Sequence, residues 1–514
     1  MKRCLFLALC TPLMAQMTEI SGARIRPHVK FLASDLLEGR GVGTRGGKLA
    51  TEYLATQLEI LGAKPAGDNG AYFQRVPMLG VQTQPESELT ALAGEKSVTL
   101  RWKQDFVGSS GIQQPQSDFD AEAIFVGHGI TAPEFQWDDF KGVEVRGKVL
   151  VMFTNEPPSE DPKFFDGRAL TYYGRWTYKY EQALRKGAVA AILIHTTPTA
   201  GYGWDVVRSS WSGEAAQMRL EPGENGLRLA AWVSQEAGEK LAALSGRTVA
   251  QLLAMANQRE FRPIPLGFRL RGRIASSLRE IESRNVVGKI PGSDPALEGD
   301  AVLFSAHWDH FGIGIPVNGD AIYNGAADNA TGCAMLLEIA RAWSRLPEKP
   351  RRSALFIFVT AEEQGLLGSA FYARHPVVLP SRTALAVNLD MFFPFGRTKD
   401  VQVNGAERTP VWPLVEEAVR RMNFEIAPDP QPEQGHYFRS DHFSFARAGI
   451  PAFSIDRGNV YLGKPAGFGD RIFEEFNSTR YHQPSDEYHD DWDFSGMEQY
   501  ARLAFLINQM VANR

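Results

Sequence analysis

The chain has 514 residues, 44% hydrophobic and 22% charged, with a formal net charge of −5. That length exceeds one ordinary domain and predicts two or three units of soluble globular composition. The mild acidity excludes a nucleic-acid partner recognised through a basic face.

In chain order, residues 1–15 read as a signal peptide. Lys2 and Arg3 precede an apolar run from Cys4, and Ala15 offers a small residue for cleavage. The expected destination is outside the cytoplasm, in the periplasm or the medium. The run is too short for a permanent membrane helix and no later segment is long and apolar enough, so no stable membrane anchor is expected. Cys4 and Cys10 leave with that segment, so Cys333 stands alone and no internal disulfide is expected.

Residues 16–118 form a first segment. Apolar spacing predicts helices over 25–40 and 46–67, followed by short polar strands. The texture changes at 119. "EAIFVGHGI", "GKVLVMF", "AVAAILIHT" and "LRLAAWVS" are short β-rich runs, with "YKYEQALRKG" and "QEAGEKLAALSG" as helices between them. Residues 119–262 are therefore expected to be an inserted β-rich unit. The aromatic stretch Ala169–Ala183 within it reads as core rather than as a peptide groove. From 263 to 514 strands alternate with helices. This predicts an α/β fold with a mainly parallel mixed sheet flanked by helices. Sites in such sheets gather at the carboxyl ends of strands.

The polar residues at those ends are chemically uniform. His307 and Asp309 follow "AVLFSA", and Asp328 lies in "NGAADNATG" ahead of a helix. Glu362 and Glu363 follow "ALFIFVTA", Asp390 ends "TALAVNLD", and His482 lies in a loop before the last helix. Alone, Asp328 reads as a helix cap and the glutamate pair as a start for a helix dipole. Together, two imidazoles and four or five carboxylates suit zinc, with cobalt or manganese as substitutes. They exceed the needs of one structural ion and match two ions sharing a carboxylate. One of the adjacent glutamates then holds a metal while its neighbour moves a proton.

"SAHWDHFG", "GAADNATG", "TAEEQGLLGS", "AVNLDM", "RSDHFSFARAGIPAF" and "YHQPSDEY" occur in the order of the motifs of the co-catalytic zinc aminopeptidase family. Residues 285–512 resemble that family, which includes aminopeptidase Y and secreted bacterial leucyl aminopeptidases. Residues 119–262 resemble the protease-associated (PA) domain that some members carry as an insert. The resemblance implies a zinc exopeptidase fold, phosphorylase/hydrolase-like, split into 16–118 and 263–514. It implies two zinc ions per chain and a peptide substrate with a free N-terminus. His307 and Asp390 hold one ion, Glu363 and His482 the other, and Asp328 bridges them. Glu362 is the general base, and Asp309 orients His307. Tyr481 donates to the developing oxyanion, and Asp486 orients His482.

The stretch between His307 and Asp328 is longer than in the smallest family members. Its His310 and Asp320 read equally as rim or as loop residues, and Asp441 and His442 as supporting structure. Carboxypeptidase or dipeptidase specificity is the main alternative, with Arg208, Arg439 and Arg480 as available carboxylate anchors. A glutaminyl cyclase-like protein or an inactive receptor-like protein would have lost ligands, and this chain retains all of them. Oligomeric state is not legible.

Overall fold

The computed structural model describes Met17 and residues 19–514, so the expected signal segment lies outside the described residues. The chain divides into two units. The first comprises residues up to Pro77, Glu282–Asp429 and Tyr437–Arg514; the second comprises Met78–Ile281 and Pro430–His436.

The first unit opens with α1 (Gly22–Leu32) and α2 (Arg45–Ile60). Thr44 caps α2 by accepting from the Gly47 N–H at 3.2 Å. The expected helix over 25–40 stops at Leu32. Glu38, Gly39 and Arg40 all have positive φ, which breaks the helical path and leaves a short 3-10 segment, Asp35–Arg40.

The sheet is built from the end of β1 (Ile264–Ile290), β2 (Ala301–His307), β5 (Ser353–Val359), β6 (Thr383–Leu389), β7 (Asp400–Asn404) and β8 (Ala452–Arg457). A separate hairpin, β3 (Gly312–Val317) and β4 (Asp320–Tyr323), follows β2. The strand order is β1-β5-β2-β6-β8-β7. The inner four are parallel, β1 and β7 run antiparallel to β5 and β8, and the short strands Lys64–Pro65 and Glu425–Ile426 flank them on the outside. The expected mixed, mainly parallel sheet is thus observed.

All seven residues of β2 and of β5 are buried, as both-face coverage requires. Alternate residues serve different cores. Val302, Phe304 and Ala306 pack with α1, α3 (Thr331–Ser344) and α8 (Ser495–Ala512), and the Phe304 ring stacks on Phe356 at 5.1 Å. Ala301 and Leu303 face Tyr372 of α4 (Leu367–Arg374) and Phe445 of α6 (His442–Arg447). Burying each such phenylalanine contributes about 1.5–3 kcal/mol. Between α4 and α8 lie α5 (Trp412–Arg421) and α7 (Phe468–Thr479).

The second unit has four parallel strands. Gln116–Phe125, Val149–Phe153, Ala190–Ile194 and Leu229–Val233 pair in that order. Phe106–Ser109 pairs with Leu229–Val233, while Glu88–Ala93 pairs with residues 269–273 and with Lys96–Arg101. These ladders explain why the unit begins at Met78 and ends at Ile281 rather than running from 119 to 262. The polar strands before 119 find their hydrogen-bond partners inside it. The aromatic stretch divides between two cores: Tyr178 packs with Trp137, Phe165 and Ile130, while Tyr180 and Trp176 join the core around the parallel strands. No helix among the described residues is long and apolar enough to cross a membrane.

Candidate metal centre

The parallel register gathers the site. His307 pairs with Val359, and Ser305 pairs with Asn388. The chain leaving β5 at Glu362 and Glu363 and the chain leaving β6 at Asp390 therefore emerge beside His307, on one sheet edge. Ala361, Met391 and His482 each hold a positive φ of 52–56° without being glycine. Such backbone is costly and concentrates where side-chain aim matters.

Asp328 arrives from the turn before α3. The Asp486 carboxylate accepts from the N–H of Ala327 at 3.0 and 3.1 Å and of Asp328 at 3.1 Å. Asn329 ties the same turn to the end of β6, donating to Leu389 O at 3.0 Å. Asp328 is therefore not a helix cap. Its Oδ1 lies 3.2 Å from His307 Nε2 and its Oδ2 lies 3.5 Å from His482 Nε2. Asp390 Oδ1 is 3.0 Å from His307 Nε2, and Glu363 Oε2 is 3.3 Å from His482 Nε2. Ligand atoms of His307, Asp328 and Glu363 lie within 4.8 Å of one another.

The His307 Nδ1 is 3.1 Å from the backbone carbonyl of Asp309. A carbonyl only accepts, so Nδ1 carries the proton and Nε2 presents its lone pair. That lone pair faces two carboxylate oxygens. Acceptors facing acceptors require a cation among them. The donor set therefore suits a metal ion, with Asp328 standing between His307 and Asp390 on one side and His482 and Glu363 on the other. Without metal, protons take that place. Burial alone would lower the His307 imidazole, but Asp390 and Glu362 hold it well above its usual value. Burial likewise opposes the rise of His482 to about 10, which Glu363 and Asp328 drive. Burial opposes ionisation of Glu363, yet His482 and His310 hold it down at about 2.

Glu362 differs. Among the described residues its carboxylate has no hydrogen bond or ion pair, and burial with the charges of Asp390 and Glu363 pushes it well above the usual carboxylate range. Tyr481 stacks on His482 at 3.7 Å. Its residue exposure is 40%, and desolvation with the charges of Asp328, Glu363 and Glu362 pushes its hydroxyl well above the usual phenol value.

Two expected roles change. The Asp309 carboxylate stands 4.0 Å from His307 Nδ1 and instead accepts from the Glu362 N–H at 3.2 Å; the imidazole is oriented by the Asp309 carbonyl. Asp486 holds the backbone of the Asp328 turn and, among the described residues, makes no hydrogen bond to His482. Three residues gain roles. His310 is buried with Nδ1 2.6 Å from Glu363 Oε1. Ser440 donates to Asp390 Oδ2 at 2.6 Å and accepts from Asn388 at 2.8 Å. Arg40 is buried beneath the site. Asp320 only accepts from Ile322 N in its hairpin. The Phe311 ring, at the hairpin root, meets His482 at 4.6 Å. A cavity of about 510 Å³ lined by Lys48, Thr51, Phe73, Arg284 and Trp308 contains none of the ligand candidates.

Residues 285–506 match Peptidase family M28. The chain is 27% identical over 178 residues to leupeptin-inactivating enzyme 1 of Streptomyces exfoliatus, covering 34% of this chain and 36% of the relative. It is 29% identical over 187 residues to aminopeptidase YwaD of Bacillus subtilis, covering 36% of each. The chain thus spans about a third of the length of these two relatives. The solved aminopeptidase from Aneurinibacillus sp. strain AM-1 shares the fold, with a TM-score of 0.51 at 20% identity over 96% of this chain and 94% of that one.

Proposed function

Because residues 285–506 match Peptidase family M28, we propose that this chain is an exported zinc-dependent aminopeptidase that hydrolyses the first peptide bond of peptides. The observation that carries the reading is the split aim of Asp328, one oxygen toward His307 and the other toward His482, with Glu362 left unpaired beside them. His307 and Asp390 would hold one zinc ion, His482 and Glu363 the other, and Asp328 would join them. Lewis acidity at this position polarises a substrate carbonyl and acidifies a neighbouring water.

The remaining steps belong to the chain's own side chains. Glu362 takes a proton from the attacking water and delivers it to the leaving amine. Its lack of a fixed partner leaves it free for both transfers. The Tyr481 hydroxyl donates to the oxygen that gains negative charge at the scissile carbonyl. The Asp309 carboxylate fixes the Glu362 backbone, and Ser440 fixes Asp390. The excess of carboxylates favours a substrate with a free α-ammonium. The proposal of export rests on the order of basic, apolar and small residues in 1–15. The PA-like reading of the second unit rests on its short β runs interleaved with helices.

The test is a panel of short peptides, each free or acetylated at its N-terminus, incubated with zinc-loaded protein and with Glu362→Gln as background. Release of the first residue from free peptides only is expected. Equal cleavage of acetylated peptides, or release from the other end, would replace aminopeptidase by endo- or carboxypeptidase specificity. Full turnover by Glu362→Gln would remove the general-base assignment, and less than two equivalents of bound zinc would remove the two-ion centre.

A further inference from the structure

Arg40 is 1% exposed and sits where the α1 helix has already ended. Three successive residues with positive φ, Glu38, Gly39 and Arg40, turn the chain inward here. Only glycine fits at 39, because a Cβ would lie 2.4 Å from Tyr323 O and 2.6 Å from Gly312 O. The turn delivers the guanidinium to a position where every partner is a backbone carbonyl. Nε donates to Trp308 O at 2.8 Å, and Nη1 donates to Leu32 O and Asn324 O, each at 2.6 Å. Nη2 donates to Gly325 O at 2.8 Å. In return the Arg40 carbonyl accepts from His310 N at 3.4 Å.

The partners are not scattered. Trp308 follows His307, and His310 bonds Glu363; Asn324 and Gly325 begin the turn that carries Asp328. One planar fork therefore ties together the two segments that present His307 and Asp328. A buried cation held only by dipoles is expensive unless negative charge lies near. Here that charge comes from the site itself, through Asp486, Asp328 and Asp309.

We propose that Arg40 is a positioning residue of the metal centre: its guanidinium sets the spacing between the His307 segment and the Asp328 turn, and so sets zinc affinity. The inference rests on the metal-centre reading given above. Positioning and charge predict opposite signs, which makes the idea sharp. Loss of a nearby cation by itself would strengthen zinc binding. Loss of the fork would weaken it, because the two segments could separate. Lysine keeps the charge but has a single ammonium that cannot reach carbonyls on both segments.

The test measures zinc affinity of the full-length chain by competition with a chelator, alongside thermal unfolding of the zinc-free protein. Arg40→Lys and Arg40→Gln are compared with wild type and with Val415→Ala, a core truncation in α5 that removes no bond at the site. Both Arg40 variants are expected to bind zinc about 10–100-fold more weakly, the range for residues that orient metal ligands. Val415→Ala is expected to lose thermal stability with zinc affinity unchanged. Affinity in Arg40→Lys within twofold of wild type overturns the inference, as does an equal loss in Val415→Ala or tighter binding in Arg40→Gln. Those results leave the metal-centre reading standing, whereas wild type that binds no zinc overturns both.

Discussion

Asp486→Ala tests whether the Asp328 turn is held by a carboxylate rather than by its own sequence. The Asp486 side chain is 1% exposed and accepts from two backbone N–H groups, Ala327 and Asp328, at 3.0–3.1 Å. Alanine leaves both donors buried without a partner. Each such orphan costs about 1–3 kcal/mol, so the sum is about 2–6 kcal/mol. The Ala326 N–H keeps its bond to the Asp486 carbonyl, since that acceptor is backbone. The loss therefore falls on the residues that aim Asp328. If about 1.4 kcal/mol or more of it appears as disorder of that turn, zinc binding weakens at least tenfold. Asp486→Asn should fall between wild type and alanine, because an amide oxygen in the Oδ2 place still accepts from both N–H groups while the NH2 in the Oδ1 place confronts that of Ala327. Chelator competition gives the affinity, and amide hydrogen exchange at Ala327 and Asp328 gives the local opening. Unchanged exchange at both amides together with unchanged affinity would refute the reasoning, because the turn would then be self-supporting.

Ser440→Ala removes the 2.6 Å donor to Asp390; about a tenfold fall in kcat/KM on a free peptide is expected with little change in Tm, and a full-rate variant would remove Ser440 from the site. In the second unit, Lys179 is buried with Nζ donating to Asn155 O at 2.8 Å and with Asp139 and Glu156 as its charge partners. Burial raises both carboxyls to about 7. A carboxyl raised in the folded state binds its proton more tightly than in the unfolded chain. Protonation thus favours folding, and the penalty grows as pH rises from about 4 through 7. Burial also lowers the Lys179 ammonium to about 7, so Lys179→Met should cost most near pH 7, about 3–5 kcal/mol, and less both at pH 5, where the carboxyls are protonated, and at pH 9, where the ammonium has lost its proton. Denaturant titrations showing a pH-independent loss would contradict this.

The fold was legible where burial imposes a period. Apart from Ser305, which donates to Asn388, "AVLFSA" and "ALFIFV" are apolar because both faces of their strands are covered, and that signature fits strands inside a parallel sheet. Two elements escaped for different reasons. The stretch ahead of His482, for which the sequence suggests only loop before the last helix, contains α7, whose Phe468, Ile472 and Phe476 lie at helical spacing and pack on Phe393 and Tyr461. That signal was present but hidden by the glycines before it. The reach of the second unit back to Met78 was not visible at all. The strands at 88–93 and 96–101 look alike whichever sheet they join, and only pairing with residues 269–273 assigns them. Local pattern carries no information about a partner some 180 residues away.

The site divides along the same line. The groups that would meet a metal here are imidazoles and carboxylates, so their chemical type betrays them in the sequence. Groups that aim those ligands need only a donor or an acceptor, and backbone serves as well as side chain. His307 is oriented by the carbonyl of Asp309 rather than by its carboxylate, a choice no sequence can express. Arg40 bonds four carbonyls, which every residue possesses, so nothing in the residues at 32, 308, 324 or 325 marks them as its partners. Asp486 was read as a partner of His482, four residues before it, because proximity in the chain is the default. The turn at Ala327 had the stronger claim, since its buried N–H groups had no other acceptor. Reading a centre of this kind from residues alone therefore finds the atoms that touch the ion and misses the scaffold that sets their spacing, which is the part that Arg40 and Asp486 variants probe.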